Sequence, residues 1–277
     1  MASLPGWWVP WEPSFVVVAA FACAVIAYLR GCARHSEPAI RQLSFWLGLG
    51  LLYTALHTHL DYYSEHEFFI HRAQHLVLHH LGPFLIALAY PSHVLRAGLP
   101  PRWRARASRL VGSAPIRWAL DFLFNPVVAA LLFVGLIFLW LWPAIHFVAM
   151  LDARWYRVMN WSMTLDGLMF WWLVLDRRAR PPARLAPGVR VLLALAVMVP
   201  QILLGAYITF SHDELYPIYA LCGRAFAGIS GPTDQYLGGL ILWIPSSMMS
   251  VVAALIAMRH WLALDRRGLH RAVVKAR

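Results

Sequence analysis

The chain has 277 residues, of which 60% are hydrophobic and only 13% are charged, and its mean hydropathy is +0.58. Soluble domains are nearer 45–50% apolar and about 25% charged, so this composition excludes an ordinary soluble domain and predicts an integral membrane protein. The net charge of +11 is also typical of nucleic-acid-binding proteins, but its distribution along the chain gives it a different role.

Apolar runs of roughly 17–25 residues, joined by short loops, follow one another along the whole chain. They are continuously apolar rather than alternating, which predicts α-helices and not a β-barrel. We predict an all-α integral membrane protein, a seven-transmembrane-helix bundle in a single domain over residues 1–277. The predicted spans are 14–30, 41–60, 70–90, 122–142, 158–175, 189–210 and 236–260.

The basic residues predict the orientation of these spans. If the N-terminus is outside, the loops 30–41, 91–121 and 176–190 and the tail from 259 are cytoplasmic, and they hold 20 of the 24 lysines and arginines. The other four are Arg72, Arg154, Arg157 and Arg224. This asymmetry follows the positive-inside rule. It predicts an outside N-terminus, a cytoplasmic C-terminus and contacts with anionic lipids at the cytoplasmic face, and it leaves no need for a nucleic-acid partner.

The predicted outer face holds most of the acids and histidines. Eight of the 13 acidic residues lie there, as do seven of the 13 histidines. The cysteines predict no disulfide framework, because Cys23 lies inside a span and Cys32 and Cys222 lie on opposite sides of the membrane.

The third span carries the most informative pattern. His71, His75 and His79 recur every four residues and therefore share one face of a helix. Two histidines at this spacing can hold one metal ion. As an alternative, interfacial histidines serve only as hydrogen-bonding anchors.

Three further histidines strengthen the metal hypothesis. His57 and His59 end the second span, and His146 follows the fourth, so all three lie near the same predicted outer mouth. Imidazole suits copper, zinc, iron and nickel, so the pattern does not select the metal. Haem is an alternative, because axial imidazoles also face one another across membrane helices.

Several acidic positions allow two interpretations each. Asp166 lies inside the fifth span, where an ionisable residue is either functional or a helix-packing contact with Ser162. Asp234, just before the seventh span, is either a helix N-terminal acid or a metal ligand. His212 and Asp213 form either a ligand–carboxylate pair or a solvated loop. The sequence shows no serine nucleophile elbow, no Cys–His arrangement and no Gly-rich phosphate loop, which predicts a protein that is not an enzyme.

Three stretches resemble the CtaG-type (multi-span) cytochrome c oxidase assembly factors. In chain order they are His71-Arg-Ala-Gln74-His75 followed by Pro83 and Pro91; Trp142-Pro-Ala-Ile-His146 with Gly167-Leu-Met-Phe170-Trp171 downstream; and Asp234-Gln235-Tyr-Leu-Gly238-Gly239-Leu-Ile-Leu-Trp243. They occur in the family's order and span roughly residues 50–260. One departure stands out, because Met159-Asn160 occupies the place where the family pattern leads us to expect Glu-His.

The resemblance implies a protein of the bacterial inner membrane that matures haem–copper oxidases by binding and delivering copper on the periplasmic side. It implies oxidase subunits and a periplasmic copper donor as partners. His71, His75 and His146 match the family's histidine positions, and Asp234 matches the acid of its Asp-Gln pair. Because of Asn160, we expect a metal site that is either altered or draws on His57 or His59 instead, and Asp234 is a further candidate ligand.

Three other hypotheses stay open at this point. The chain is a haem-binding or electron-transfer protein if His75 or His79 pairs with His146. It is a non-metal scaffold for oxidase subunits if the histidines are only anchors. A transporter is the weakest alternative, because Asp166 and His79 extend a polar path inward but no inverted repeat accompanies them.

Overall fold

The computed structural model describes residues 4–275 of the chain, and the side chains of residues 6–268. All regular structure in this part is helical, which confirms the predicted all-α class. After a 3₁₀ turn at Leu4–Trp8, the α-helices are α1 Phe15–Cys32, α2 Ala39–His57, α3 Leu60–His66, α4 Phe68–His75, α5 Gly82–Ala89, α6 Ser92–Gly98, α7 Pro101–Gly112, α8 Ala114–Leu123, α9 Pro126–Leu141, α10 Pro143–Leu151, α11 Ala153–Val174, α12 Pro187–Ala196, α13 Met198–Phe210, α14 Ile218–Cys222 and α15 Gly231–Lys275. The predicted tail charges Arg271, Lys275 and Arg277 lie outside the described side chains.

Three helical stretches in the described residues are long and apolar enough to cross a membrane alone: Phe15–Cys32, Pro187–Phe210 and Gly231–Gly268. The pair α8 and α9, bent by 69°, makes a fourth if it is one broken span. These four correspond to the predicted spans 14–30, 189–210, 236–260 and 122–142. The count of seven stays a prediction, because the segments at 41–60, 70–90 and 158–175 do not meet the same criterion.

The segment predicted as one helix over 70–90 is divided into α4, a single π-helical turn at Leu76–Leu81, and α5. Pro83 is the physical reason for the break, since it has no N–H to donate to the carbonyl of His79. The indole N–H of Trp171 donates to that carbonyl instead, at 3.1 Å. A Cβ atom at Gly167 would overlap the same carbonyl, so α11 lies directly against the π turn.

Hydrogen bonds near the ends of the helices define two opposite ends of the bundle. At the start of α1, the Ser14 N–H donates to His57 Nε2 at the end of α2, at 2.9 Å. Beyond the other end of α1, Arg34 donates to the carbonyl of Ala97. Helices α1 and α2 therefore run antiparallel, and the predicted arginine-bearing loops 30–41 and 91–121 meet at one end. The candidate site lies toward the opposite end.

Candidate functional site

The candidate site is built around two histidines on α4. The rings of His71 and His75 are fully buried, with centroids 4.4 Å apart. None of their four ring nitrogens forms a hydrogen bond of normal geometry with a described residue, although the Ser64 backbone approaches His71 and the Asn160 side chain approaches His75. Buried polar groups are almost always hydrogen-bonded, and each neutral imidazole carries one lone pair that can bind a metal. The pair therefore presents two unused lone pairs inside the protein.

A third imidazole, that of His146 on α10, lies beside them, with its ring centroid 5.1 Å from that of His71. Its Nδ1 is 2.9 Å from the carbonyl of Trp140 and must carry the proton, because a carbonyl only accepts. The lone pair is then on Nε2, which accepts a hydrogen bond from the Tyr219 hydroxyl at 3.0 Å. Burial lowers the pKa of His146 to about 4, so the ring is neutral, as a ligand must be.

The other two predicted histidines have partners elsewhere. His57 Nε2 accepts the N–H of Ser14, and its Nδ1 lies 3.0 Å from the Tyr53 hydroxyl. His59 packs in an aromatic group with Tyr62 and Trp11, at ring distances of 5.2 and 5.8 Å. The structure thus uses His57 to hold the start of α1 and His59 to anchor the N-terminal segment, and it brings neither into the pair.

Asp234 reaches the site from α15 as a helix cap. Its oxygens accept the backbone N–H groups of Phe68 and Phe69, at 3.0 and 2.7 Å, which are the first two residues of α4. A carboxylate at this position satisfies free donors and complements the helix dipole. Arg224 adds an ion pair at 2.6 Å. Asp234 therefore fixes the start of the helix that carries the histidines.

The loop between α13 and α15 covers this end of the site. Gln235 accepts the N–H of Leu215 at 2.8 Å and donates to the carbonyl of Asp213 at 3.0 Å. This attachment places Tyr216 and Tyr219 against His146, and His212 and the Asp213 side chain are exposed on the loop surface. The Asp-Gln motif thus holds both α4 and the covering loop.

Two further histidines lie deeper, on the π turn. His79 Nε2 is 3.0 Å from the carboxylate of Asp166, and His80 Nε2 is 2.9 Å from the amide oxygen of Gln201. The amide orientation is fixed because Gln201 donates through its nitrogen to the carbonyl of Val197. Asp166 therefore has a histidine partner inside the bundle. Both imidazoles are engaged through Nε2 with α11 and α13, while Nδ1 of each ring has no hydrogen-bond partner among the described residues.

A buried polar network supports the pair from the side of α3. The Gln74 amide and the Tyr156 hydroxyl both donate to Asp61 Oδ1 at 2.7 Å, and Ser64 lies 2.9 Å from the same hydroxyl. Burial raises the pKa of Asp61 to about 6, although these hydrogen bonds oppose the increase. Sequence reasoning singled out Gln74 only as part of a motif and missed Asp61 and Tyr156, because no local pattern connects them.

One fixed charge lies inside the site. Arg72 is 4% exposed, and it forms no ion pair with a carboxylate among the described residues. The orientation prediction counted Arg72 as an outer-face charge. In the structure its side chain is buried inside the bundle, and along the chain it lies between His71 and His75. Asn160, which stands at the family's expected histidine, is also buried and leaves its Oδ1 without a partner.

As the side chains stand, no group of three or more His, Cys, Asp or Glu residues in the described part of the chain is arranged to hold a metal ion. The structure brings together His71, His75 and His146, but the lone pair of the third is occupied by Tyr219. Two imidazoles have unoccupied lone pairs, and the third becomes available only when Tyr219 no longer donates to it.

The fold and this centre define the class: a helical protein with several membrane-compatible helices and a buried histidine cluster near one end. The family model for cytochrome c oxidase caa3 assembly factors matches residues 19–263. The chain belongs to this family.

The curated relatives that match are uncharacterized mycobacterial proteins. Those of Mycobacterium bovis and Mycobacterium tuberculosis are each 25% identical over 279 residues, which is 94% of this chain and 40% of theirs. That of Mycobacterium leprae is 25% identical over 260 residues, or 87% of this chain and 38% of its own. The chain thus spans about two fifths of the length of these relatives. No solved structure matches.

Proposed function

We propose that this assembly factor binds copper at the His71–His75 pair and delivers it to a haem–copper oxidase during maturation. The observation that carries the proposal is the set of four buried imidazole nitrogens without a hydrogen-bond partner. A side-by-side ligand pair whose lone pairs are not used by hydrogen bonds can bind an ion, and because it supplies only two ligands it leaves coordination positions open for transfer to a partner. The role is binding and transfer rather than catalysis.

The charge of Arg72 favours monovalent copper. A fixed positive charge repels a divalent ion twice as strongly as a monovalent one at the same distance, and the surroundings of Arg72 are buried. Two neutral imidazoles bring no negative charge to offset this repulsion. We therefore propose Cu(I) as the cargo, with His146 as the third ligand once Tyr219 releases its Nε2. His57, His59 and Asp234 position the surrounding helices in this proposal.

We also propose the predicted topology, with seven spans in the bacterial inner membrane, the N-terminus outside and the C-terminus in the cytoplasm. It is supported by the two ends of the bundle, since the arginine-bearing loops 30–41 and 91–121 meet at one end and the histidine site lies toward the other. This orientation exposes the site to a periplasmic copper donor and to the oxidase subunits that receive the ion.

The proposal is tested by the copper content of the purified chain after loading with Cu(I). We expect about one copper per chain in the wild type and a large loss in His71→Ala/His75→Ala. The matched control is His57→Ala/His59→Ala, which removes two imidazoles from the same region but not from the pair. Equal copper in the two double variants would refute the proposed site.

A non-metal scaffold is the second candidate, and the observation that favours it is the lack of a ready three-ligand group among the described residues. It predicts that cells with His71→Ala/His75→Ala assemble an active oxidase as well as the wild type does. A haem-binding function, the third alternative, predicts a Soret absorption band in protein purified after haem-replete expression.

A further inference from the structure

A cavity lies at the arginine-rich end of the described chain, away from His71, His75 and His146, and His260 is part of its lining. It has a volume of about 820 Å³ and lies between the start of α2, the end of α5, the residues after α11, and the second half of α15. Four arginines line it: Arg41, Arg177, Arg259 and Arg267. No acidic residue is part of the lining.

Arg177 lies close enough to Arg41 and Arg259 for their charges to repel. The pKa of Arg177 is lowered by burial and then by the neighbouring charges of Arg41 and Arg259. Arg41 has one partial counter-charge, Glu37 at 3.4 Å, whereas no ion pair forms with Arg259 or Arg267 among the described residues. An excess of positive charge thus surrounds the cavity, and an anion inside it would relieve this repulsion.

The remaining lining is aliphatic, with Ile40, Leu88, Ile256 and Leu264 beside the arginines. Ile40 is 72% exposed, so the apolar side of the cavity opens outward from the bundle. A free phosphate would use the arginines but leave this apolar surface in water. A lipid uses both, because its phosphate reaches the guanidinium groups while its acyl chains lie along the aliphatic wall.

We propose that this cavity binds the phosphodiester headgroup of an anionic phospholipid. Basic pockets between helices at the cytoplasmic side of membrane proteins bind such headgroups. The site is separate from the copper proposal and does not depend on it. The proposal gives four arginines a specific binding role, whereas the sequence analysis used them only to predict the orientation of the chain in the membrane.

The test uses the purified full-length chain in detergent, with thermal unfolding measured against added short-chain phosphatidylglycerol, phosphatidylcholine or inorganic phosphate. The charge variant is Arg259→Gln/Arg267→Gln, since both side chains are exposed and neither forms an ion pair with another described residue. The matched control is Arg102→Gln/Arg109→Gln, which removes two exposed charges from α7. A second variant, Ala263→Trp, fills the cavity without changing the charge.

We expect phosphatidylglycerol to stabilise the wild type more than phosphatidylcholine does. Its affinity should fall roughly fivefold for each arginine contact and about thirty-fold in the charge variant. It should also fall in Ala263→Trp and stay within about twofold in the control. Equal losses in the control and the charge variant would overturn the proposal, because the effect would then be general electrostatics. Stabilisation by inorganic phosphate equal to that by phosphatidylglycerol would overturn it too, because the occupant would be a free anion.

Discussion

The hydrogen bond between Tyr219 and His146 gives the most specific prediction of the copper proposal. The Tyr219 hydroxyl donates to His146 Nε2 at 3.0 Å, so this lone pair reaches a metal only after the bond is broken. The substitution Tyr219→Phe removes the hydroxyl and keeps the aromatic ring. In the variant, His146 Nε2 should therefore be free of a hydrogen bond before copper binds, so that three imidazoles are available instead of two.

The expected size of the effect follows from the hydrogen bond. A hydrogen bond of this kind contributes about 1 kcal/mol net to stability. Because copper binding to the variant does not have to break this bond, the Cu(I) affinity should rise roughly fivefold. The copper-free variant should be less stable by about 1–2 kcal/mol, because the buried His146 Nε2 is left without a donor. Tighter copper binding and lower stability of the copper-free protein should appear together.

The assay is a competition titration of the purified chain with a Cu(I) chelator, combined with thermal unfolding of the copper-free protein. Tyr216→Phe is the matched control, because it removes a hydroxyl from the same loop that donates to the Leu141 carbonyl at 2.9 Å. His146→Ala added to Tyr219→Phe should abolish the gain. If Tyr219→Phe binds Cu(I) no more tightly than Tyr216→Phe does, His146 is not a latent ligand and the reasoning is wrong.

Three further predictions concern the scaffold of the site and are measured by thermal unfolding. Gly167→Ala should destabilise the fold by about 1–3 kcal/mol, because the new methyl group overlaps the carbonyl of His79; Gly135→Ala, in open space on a helix, should be neutral or stabilising, and equal effects would refute the close packing. Asp234→Ala should cost about 3 kcal/mol, because it removes the buried partner of Arg224 and both oxygens that cap α4; a loss below about 1 kcal/mol would contradict the capping role. Burial and nearby carboxylates raise the pKa of Glu65 to about 7, so the folded state holds a proton that the unfolded state releases near pH 4.5. The free energy of unfolding should therefore fall by about 1–2 kcal/mol between pH 4.5 and 7, after allowance for solvent screening. If Glu65→Gln shows the same dependence of stability on pH as the wild type, this explanation is wrong.

Helical periodicity was sufficient to place His71 next to His75, since a four-residue spacing puts two side chains on one helix face. Hydropathy was sufficient for the helical class and for the spans that contain α1 and α15. In both cases the information is local, because neighbouring residues determine a helix and its apolar surface.

The rest depended on contacts between distant parts of the chain. Asp234 caps a helix that begins 166 residues earlier, and Tyr219 meets His146 across 73 residues; no sequence period connects either pair. Hydropathy did not predict the break in the helix before Pro83, because it does not depend on whether a residue has a backbone N–H. The family motifs point to these residues, but their geometric roles emerge only from the fold.

The central claim is that the His71–His75 pair delivers copper, and the most direct test is the copper content of the client oxidase. Oxidase should be purified from cells whose only copy of this chain is His71→Ala/His75→Ala, and compared with oxidase from cells carrying His57→Ala/His59→Ala. Our account predicts an enzyme with normal haem but strongly depleted copper in the first case, and a normal copper-to-haem ratio in the second. A fully copper-loaded oxidase from the His71→Ala/His75→Ala cells would contradict it.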